Sequence, residues 1–413
     1  MMTKLSLKVA PLACLALLCL GTPTLAEGQD WATFLGPHAN GVSTETGFVN
    51  HWDSEGPTVA WRAEVGTGFA SVAVVGDRLY AIGNDDGDHE TVTCINIDTG
   101  ETIWTHRYTS ELVDNLHEGG SGATPVVHDG AVYVISRIGE VRSVNAETGD
   151  LNWRFGLSET LGMEMPTWGY TSSVVIDEGV GYIQAGATLA FDLETGEEIW
   201  RSKTYKPTYT TPQVFDFNGE RHVAVLNAHG LVILKAADGS EVAASRWRTQ
   251  YDASAPTPLL LEGDRFFVTS GYYTGSTLIE LSEAGELSGR YENKAISAHM
   301  DTPVPRDGYV YGFDGNHNRP DVVDLVCVEM ATGEVIWRHN GYGCGAITLA
   351  GETLIILSDT GTLVTAEATP DGFRRISEAK VLEGRCWTAP VFAHGRVFAR
   401  NAAGDLVCVD LRP

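Results

Sequence analysis

AFDLETGEEIW, residues Ala190 to Trp200, returns along the chain as CINIDTGETIW (Cys94–Trp104), SVNAETGDLNW (Ser143–Trp153) and CVEMATGEVIW (Cys327–Trp337). Each copy reads as an apolar strand, a tight turn and a second apolar strand. The turn glycines Gly100, Gly149, Gly196, Gly239, Gly285, Gly333 and Gly372 are 49, 47, 43, 46, 48 and 39 residues apart. That period suits propeller blades and is too long for leucine-rich or ankyrin repeats. Helix signals are almost absent.

A second phrase of small residues, an apolar strand, a polar turn and another strand precedes each turn, as in SGATPVVHDGAVYVIS and SAPTPLLLEGDRFFVTS. It occurs eight times and the turn phrase seven times, because the last block stops at DLVCVDLRP. The missing strand is at the other end: in PTVAWRAEVG (Pro57–Gly66), Trp61 takes the place of Trp104, Trp153, Trp200 and Trp337. An N-terminal strand that completes the last blade ties the ring shut and removes an exposed edge. The expected fold is therefore all-β: an eight-bladed β-propeller of four-stranded antiparallel blades over 57–413, about 44 residues per blade. The repeated Trp and Gly are expected to be structural. The glycine supplies a positive φ, the residue at the Asp192 position (Asn96, Asn145 or Glu329 elsewhere) bonds the turn, and the indole fills the wedge between diverging blades.

Before the repeats, residues 1–26 read as a secretory signal. Lys4 and Lys8 start it, LACLALLCLG is its apolar run, and Thr24 and Ala26 occupy the cleavage positions. Cys14 and Cys19 lie inside the apolar run with flanks poor for lipidation, so a periplasmic or secreted protein without a lipid anchor is expected. No later stretch is apolar enough for a membrane helix. Loss of Lys4 and Lys8 takes the net charge from −26 to −28, which excludes phosphate backbones as partners. A monomer is expected. Five cysteines follow the signal, with no CxxC pair and no zinc spacing.

The phrase AFDLETGEEIW resembles the A-x-D-x-x-T-G-x-x-x-W repeat of PQQ-like, or quinoprotein-like, propellers. DWATFLGPHANGVS (Asp30–Ser43), in a leader over 27–56, is similar to the W-x-x-F-x-G-P-x-x-x-G segment ahead of such propellers in exported bacterial proteins. The resemblance implies the fold over essentially the whole mature chain, but leaves the function open. Its members include pyrroloquinoline-quinone alcohol dehydrogenases and non-catalytic scaffolds such as the outer-membrane assembly factor BamB.

Propeller topology puts the Thr-Gly turns on one face and the loops that lead into each blade on the other. Chemistry is therefore expected on the loop face, where His117, Glu118, Trp168, Tyr209, His299, Asp301, Arg385 and Trp387 should surround one mouth of the axial channel. Such a funnel suits a small polar ligand, a glycan or a peptide, and it also contains the packing that any propeller mouth needs. NDDGDHE places Asp86, Asp88 and Glu90 at alternate positions, a candidate calcium set or a solvated hairpin tip; DGNHNRPD begins like a calcium loop without its later glycine and glutamate. Cys344 and Cys386 open neighbouring inner strands and form a candidate disulfide. Cys94, Cys327 and Cys408 share one repeat position and are expected to pack.

A quinone dehydrogenase of this family implies calcium held by Glu, Asn and Asp, an Asp base, an Arg over the ring and adjacent cysteines. The chain has no adjacent cysteines, no CxxCH haem site, and 387 residues after residue 26. The expected function is an exported, non-catalytic scaffold or binding protein without a cofactor, with an envelope protein as partner. The alternative is an alcohol or sugar oxidoreductase using a calcium-bound quinone in the funnel.

Overall fold

In the computed structural model, which describes residues 28–115, 117–162 and 165–413, the repeated phrase forms the outer hairpin of seven of the eight blades. Strand Thr188–Asp192 turns back as Glu198–Arg201. Asp192 Oδ1 accepts the N–H of Glu194 (3.0 Å) and Thr195 (2.8 Å) together with the Thr195 hydroxyl, and Gly196 sits at φ 74°. A bulge follows, because Trp200 pairs with Ala190 whereas Glu198 pairs with Phe191. The extra residue, Ile199, is pushed into solvent and the indole is aimed inward.

The indole is a strut to the next blade. Trp200 Nε1 donates to the Ala236 carbonyl at 2.8 Å, and Trp104 and Trp153 make the same bond to Ala146 (3.1 Å) and Leu193 (3.0 Å). Trp337 bonds Thr369 O at 2.9 Å. At Gly100, Gly149, Gly196 and Gly239 the glycine is needed twice over: a Cβ on Gly196 would lie 2.7 Å from the Trp153 ring, besides the left-handed backbone. Between the fifth and sixth blades, Tyr291 and Asn293 take over and bond Met330 O and Gly333 O.

Eight such sheets make the ring. Blades 1 to 7 occupy Ala73–Thr109, Val126–Gly156, Val175–Arg201, Gln213–Arg246, Leu259–Gly289, Val304–Asn340 and Ala346–Lys380. Blade 8 joins Val391–Asp410 to the N-terminal strand Thr58–Glu64, with Trp61 opposite Cys408. Among the described residues helix is confined to Leu157–Leu161 and two short 3-10 turns. The core lies between the blades; Val74 and Leu79 of blade 1, for example, pack on Phe398 and Leu406 of blade 8. No helix of the described residues is long and apolar enough to cross a membrane. The expected signal, including Cys14, Cys19 and the cleavage site at Ala26, lies outside the described residues.

The leader crosses the channel on the turn face. Trp31 exchanges backbone bonds with Val74 of blade 1 (2.8 and 2.9 Å), and Ala32 O accepts from Val127 of blade 2. Val42–Ser43 then runs parallel to the innermost strand of blade 7. Buried Glu45 accepts the N–H of His394 (2.7 Å) and Gly395 (2.8 Å) in blade 8. Gly36 is fixed by this path, since its φ is 76° and a Cβ there would strike the Trp31 ring.

Two expectations fail in this architecture. Cys344 and Cys386 are free thiols. Cys344 packs among blade 6 and 7 side chains such as Phe313 and Ile347, and Cys386 among Leu363 and Phe392 between blades 7 and 8. Blade 7 stands between them. The alternation in NDDGDHE also breaks. Gly87 N–H bonds Asn84 Oδ1 in a turn, which leaves Asp86 and Asp88 at the exposed tip. Glu90 lies in strand His89–Asn96 and faces the interior, where it accepts from Ser121 Oγ (2.6 Å) and Tyr108 Oη (3.0 Å). The three carboxyls do not converge, and among the described residues no three His, Cys, Asp or Glu side chains do.

Candidate functional site

On the loop face the ring encloses a cavity of about 750 Å³. The loops entering the blades supply His117, Trp168, Tyr209, His299, Asp301 and Trp387, six of the eight residues expected there. The other two, Glu118 and Arg385, form an ion pair with Nη1–Oε2 at 2.6 Å, and the Arg385 guanidinium lies 4.3 Å from the Trp387 ring centroid. The floor comes from Phe34 and Leu35 of the leader, so the funnel is built from both ends of the channel.

An aromatic arc lines one side. His117 meets Phe69 edge-on at 5.0 Å, Phe69 stacks on Trp387 at 5.6 Å, and Trp387 leans on His317 at 4.8 Å. His317 stacks on His299 at 4.8 Å, followed edge-on by Tyr272 and Tyr251. Opposite, Trp168 tilts against Tyr209 at 5.4 Å. Sequence reading missed Phe34, Leu35, Phe69, Arg137, Tyr251, Tyr272 and His317. Tyr272 and Tyr273 carried a signal, as two tyrosines at a hairpin tip where Gly, Asn or Asp is the usual choice.

Burial sets the charge of the site. It pulls His117 and His299 down to about 4 and lowers His317 as well, with Arg137 adding to the effect at His117. Asp301 is raised well above the ordinary carboxyl range by burial, and its Oδ2 accepts the Ile347 N–H at 2.9 Å. The three rings are therefore neutral near pH 7, and the Nδ1–Nδ1 contact of His299 and His317 at 3.1 Å is a neutral hydrogen bond.

A pH dependence follows. Between about 6.5 and about 4 an unfolded His binds a proton that folded His117 and His299 refuse, so their contribution to stability is lost as pH falls through that window. The raised carboxyls of Asp301 and Glu90 act in the opposite sense, because the folded state keeps their protons to higher pH. Urea midpoints across the window are expected to fall less steeply for His299→Phe than for the wild type. Equal slopes would remove His299 from the account.

A closed ring of eight four-stranded blades with indole struts and a funnel on the loop face defines a propeller of the PQQ-like class. The sequence profile of the family described as outer membrane protein assembly factor BamB matches residues 45–211 and 185–304, and the chain belongs to that family. It is 25% identical over 321 residues to the outer membrane protein assembly factor BamB of Salmonella typhimurium, covering 75% of this chain and 78% of the relative. For the protein of that name from Yersinia pestis the figures are 23% over 358 residues, 82% and 86%. Among solved structures, BamB from Moraxella catarrhalis superposes with a TM-score of 0.64 at 16% identity, covering 86% of this chain and 99% of that one. A europium-containing methanol dehydrogenase gives 0.65 at 10%, covering 92% and 89%. The solved structures share the fold.

The quinone cofactor that the class suggests can be tested against the donors present. Calcium beside a quinone needs convergent acid and amide oxygens. Here Asp301 is occupied by a backbone N–H and Glu118 by Arg385, while Asp86 and Asp88 are at an exposed hairpin tip. This donor set does not fit a calcium-held quinone.

Proposed function

We propose that this protein is an exported, non-catalytic member of its family that binds an envelope protein through the loop face, in the assembly of outer-membrane proteins. The observation that carries the reading is the rim of the funnel. Tyr251, Tyr272 and Tyr273 are held at φ 65°, 55° and 59°, and Tyr251 and Tyr273 remain 70% and 56% exposed. A left-handed backbone at a bulky residue costs about 1–3 kcal/mol and persists where a site needs it. Exposed aromatics on a rigid frame are typical anchors of protein interfaces. Met165 and Val322 add exposed apolar surface on the same face. Periplasmic location and a monomeric state belong to this proposal, as does the removal of residues 1–26.

Deleting the gene in the native host is expected to lower the amount of β-barrel protein in the outer membrane. Wild-type chain should restore it, and a Tyr251→Ala, Tyr273→Ala chain produced at equal level should not. Unchanged outer-membrane protein in the deletion strain would refute the reading.

A further inference from the structure

The funnel wall is built of aromatic bodies with unmet polar tips. Phe69, Trp168, Tyr209, Tyr272, His317 and Trp387 all line it, and each is only partly buried. The wall is also fixed in shape, because its rings pack on one another from Phe69 through Trp387, His317 and His299 to Tyr272. The Trp387 indole N–H, the Tyr272 hydroxyl and the Nε2 atoms of His299 and His317 have no hydrogen-bond partner among the described residues. None of these four atoms is shut off from solvent.

The two imidazoles form a matched pair. Both are neutral near pH 7, and their Nδ1–Nδ1 hydrogen bond at 3.1 Å holds a single proton. The ring that donates this proton keeps a bare Nε2, and the ring that accepts it carries its own proton on Nε2. The wall therefore offers one acceptor and one donor on adjacent rings, whose centroids are 4.8 Å apart. Two neighbouring hydroxyls meet both demands, since each can donate and accept.

Charge is withdrawn from the reachable part of the wall. Arg385 is paired with Glu118 at the mouth. Arg137 feels the nearby Glu90 carboxyl, and its Nε and Nη2 are buried away from the cavity. Asp301 is pushed toward its neutral form by burial, with Oδ2 taken by the Ile347 N–H. An ion would find no counter-charge here. A hydrocarbon would displace water from the four polar tips and leave them without partners, which is costly.

We propose that the funnel binds a short neutral saccharide, with its C–H surfaces against the rings of Phe69, Trp168, Tyr209 and Trp387 and two adjacent hydroxyls on Nε2 of His299 and His317. A sugar ring combines apolar C–H surface with a rim of neutral hydroxyls, which is the combination this wall can satisfy. A cavity of about 750 Å³ has room for about two or three such rings. This site stands apart from the partner reading above, because Tyr273, an anchor there, is not part of the funnel wall.

The test is calorimetric titration of the full mature chain with maltotriose, cellotriose and triacetylchitotriose, which are neutral, and with trigalacturonate and chitotriose as anionic and cationic counterparts. At least one neutral trisaccharide is expected to bind with a Kd below about 1 mM, and at least about tenfold more tightly than either charged one. His317→Phe keeps a ring but removes the donor–acceptor pair, and should weaken that saccharide at least about fivefold. Tyr272→Phe loses one hydroxyl and should weaken it about two- to tenfold. If His317→Phe does not fold, Tyr272→Phe is read in its place. No heat from any neutral trisaccharide up to about 10 mM would overturn the proposal. So would equal or tighter binding of a charged trisaccharide, or unchanged affinity in the folded variants.

Discussion

Arg400→Met is expected to cost about 3–5 kcal/mol, among the largest effects of any single change in this chain. Arg400 is buried in blade 8 without an acidic partner among the described residues, and its guanidinium reaches across the ring closure into blade 1 and the segment before it. It donates to Ile82 O (2.8 Å), Gly66 O (2.7 Å) and Ala70 O (3.2 Å). Burial pulls its pKa down to about 10, so it remains charged at neutral pH and depends on those carbonyl dipoles. Methionine fills a similar volume but leaves three carbonyls without that donor. Arg400→Lys should lose most of the same stability, because one ammonium cannot span the three acceptors. Urea or thermal unfolding measures both variants. A change within about 0.5 kcal/mol for Arg400→Met, the size of a neutral surface substitution, would contradict the role given to it.

The second large effect is at Trp61. This indole is buried, donates to Ile97 O at 2.8 Å and covers Gly100, so it is the strut that ties the N-terminal strand in blade 8 to blade 1. Trp61→Ala is expected to cost about 3–5 kcal/mol from lost packing, with further cost from the orphaned carbonyl. Trp200→Ala removes an equivalent strut in the middle of the ring and should cost a similar amount. The two differ in where the damage shows. Hydrogen exchange should accelerate over 58–64 in Trp61→Ala, because strand Thr58–Glu64 is joined to blade 8 by pairing with Asp405–Asp410 and not by a hairpin. In Trp200→Ala that strand should stay protected. Fast exchange of 58–64 in both variants, or in neither, would count against closure by this strand.

The repeat was legible because its causes are local and recur. A turn that needs positive φ, a capping side chain at the Asp192 position and an indole strut at the Trp200 position leave related residues at the same offsets within four copies of the phrase. The stray Trp61 was legible for the same reason. The membership of the funnel followed from topology, since loops leading into successive blades must meet around the axis, and His117, Trp168, Tyr209, His299, Asp301 and Trp387 do meet there.

What was not legible depends on contacts between segments with no shared period. Phe34 and Leu35 form the floor because the leader crosses the channel, which nothing in its own pattern announces. Arg137 sits in a tight hairpin and looks like a surface turn residue until Gly169 and Tyr170 close over it. Cys344 and Cys386 are neighbours in repeat position, yet a blade separates their side chains. Glu90 looked like a tip residue because Gly87 resets the alternation just before it.

The repeated phrase builds the ring, and the proposed function uses the opposite face. Site-specific photo-crosslinking in the native envelope tests it most directly. A photoreactive residue is placed in turn at Tyr251, Tyr273 and Val322 on the loop face, and at Thr99, Thr148 and Thr195 in the exposed turns of the repeat. A reproducible adduct to an outer-membrane assembly component is expected from the loop-face positions and none from the turns. Adducts from the turns alone would place the working surface on the side assigned here to structure.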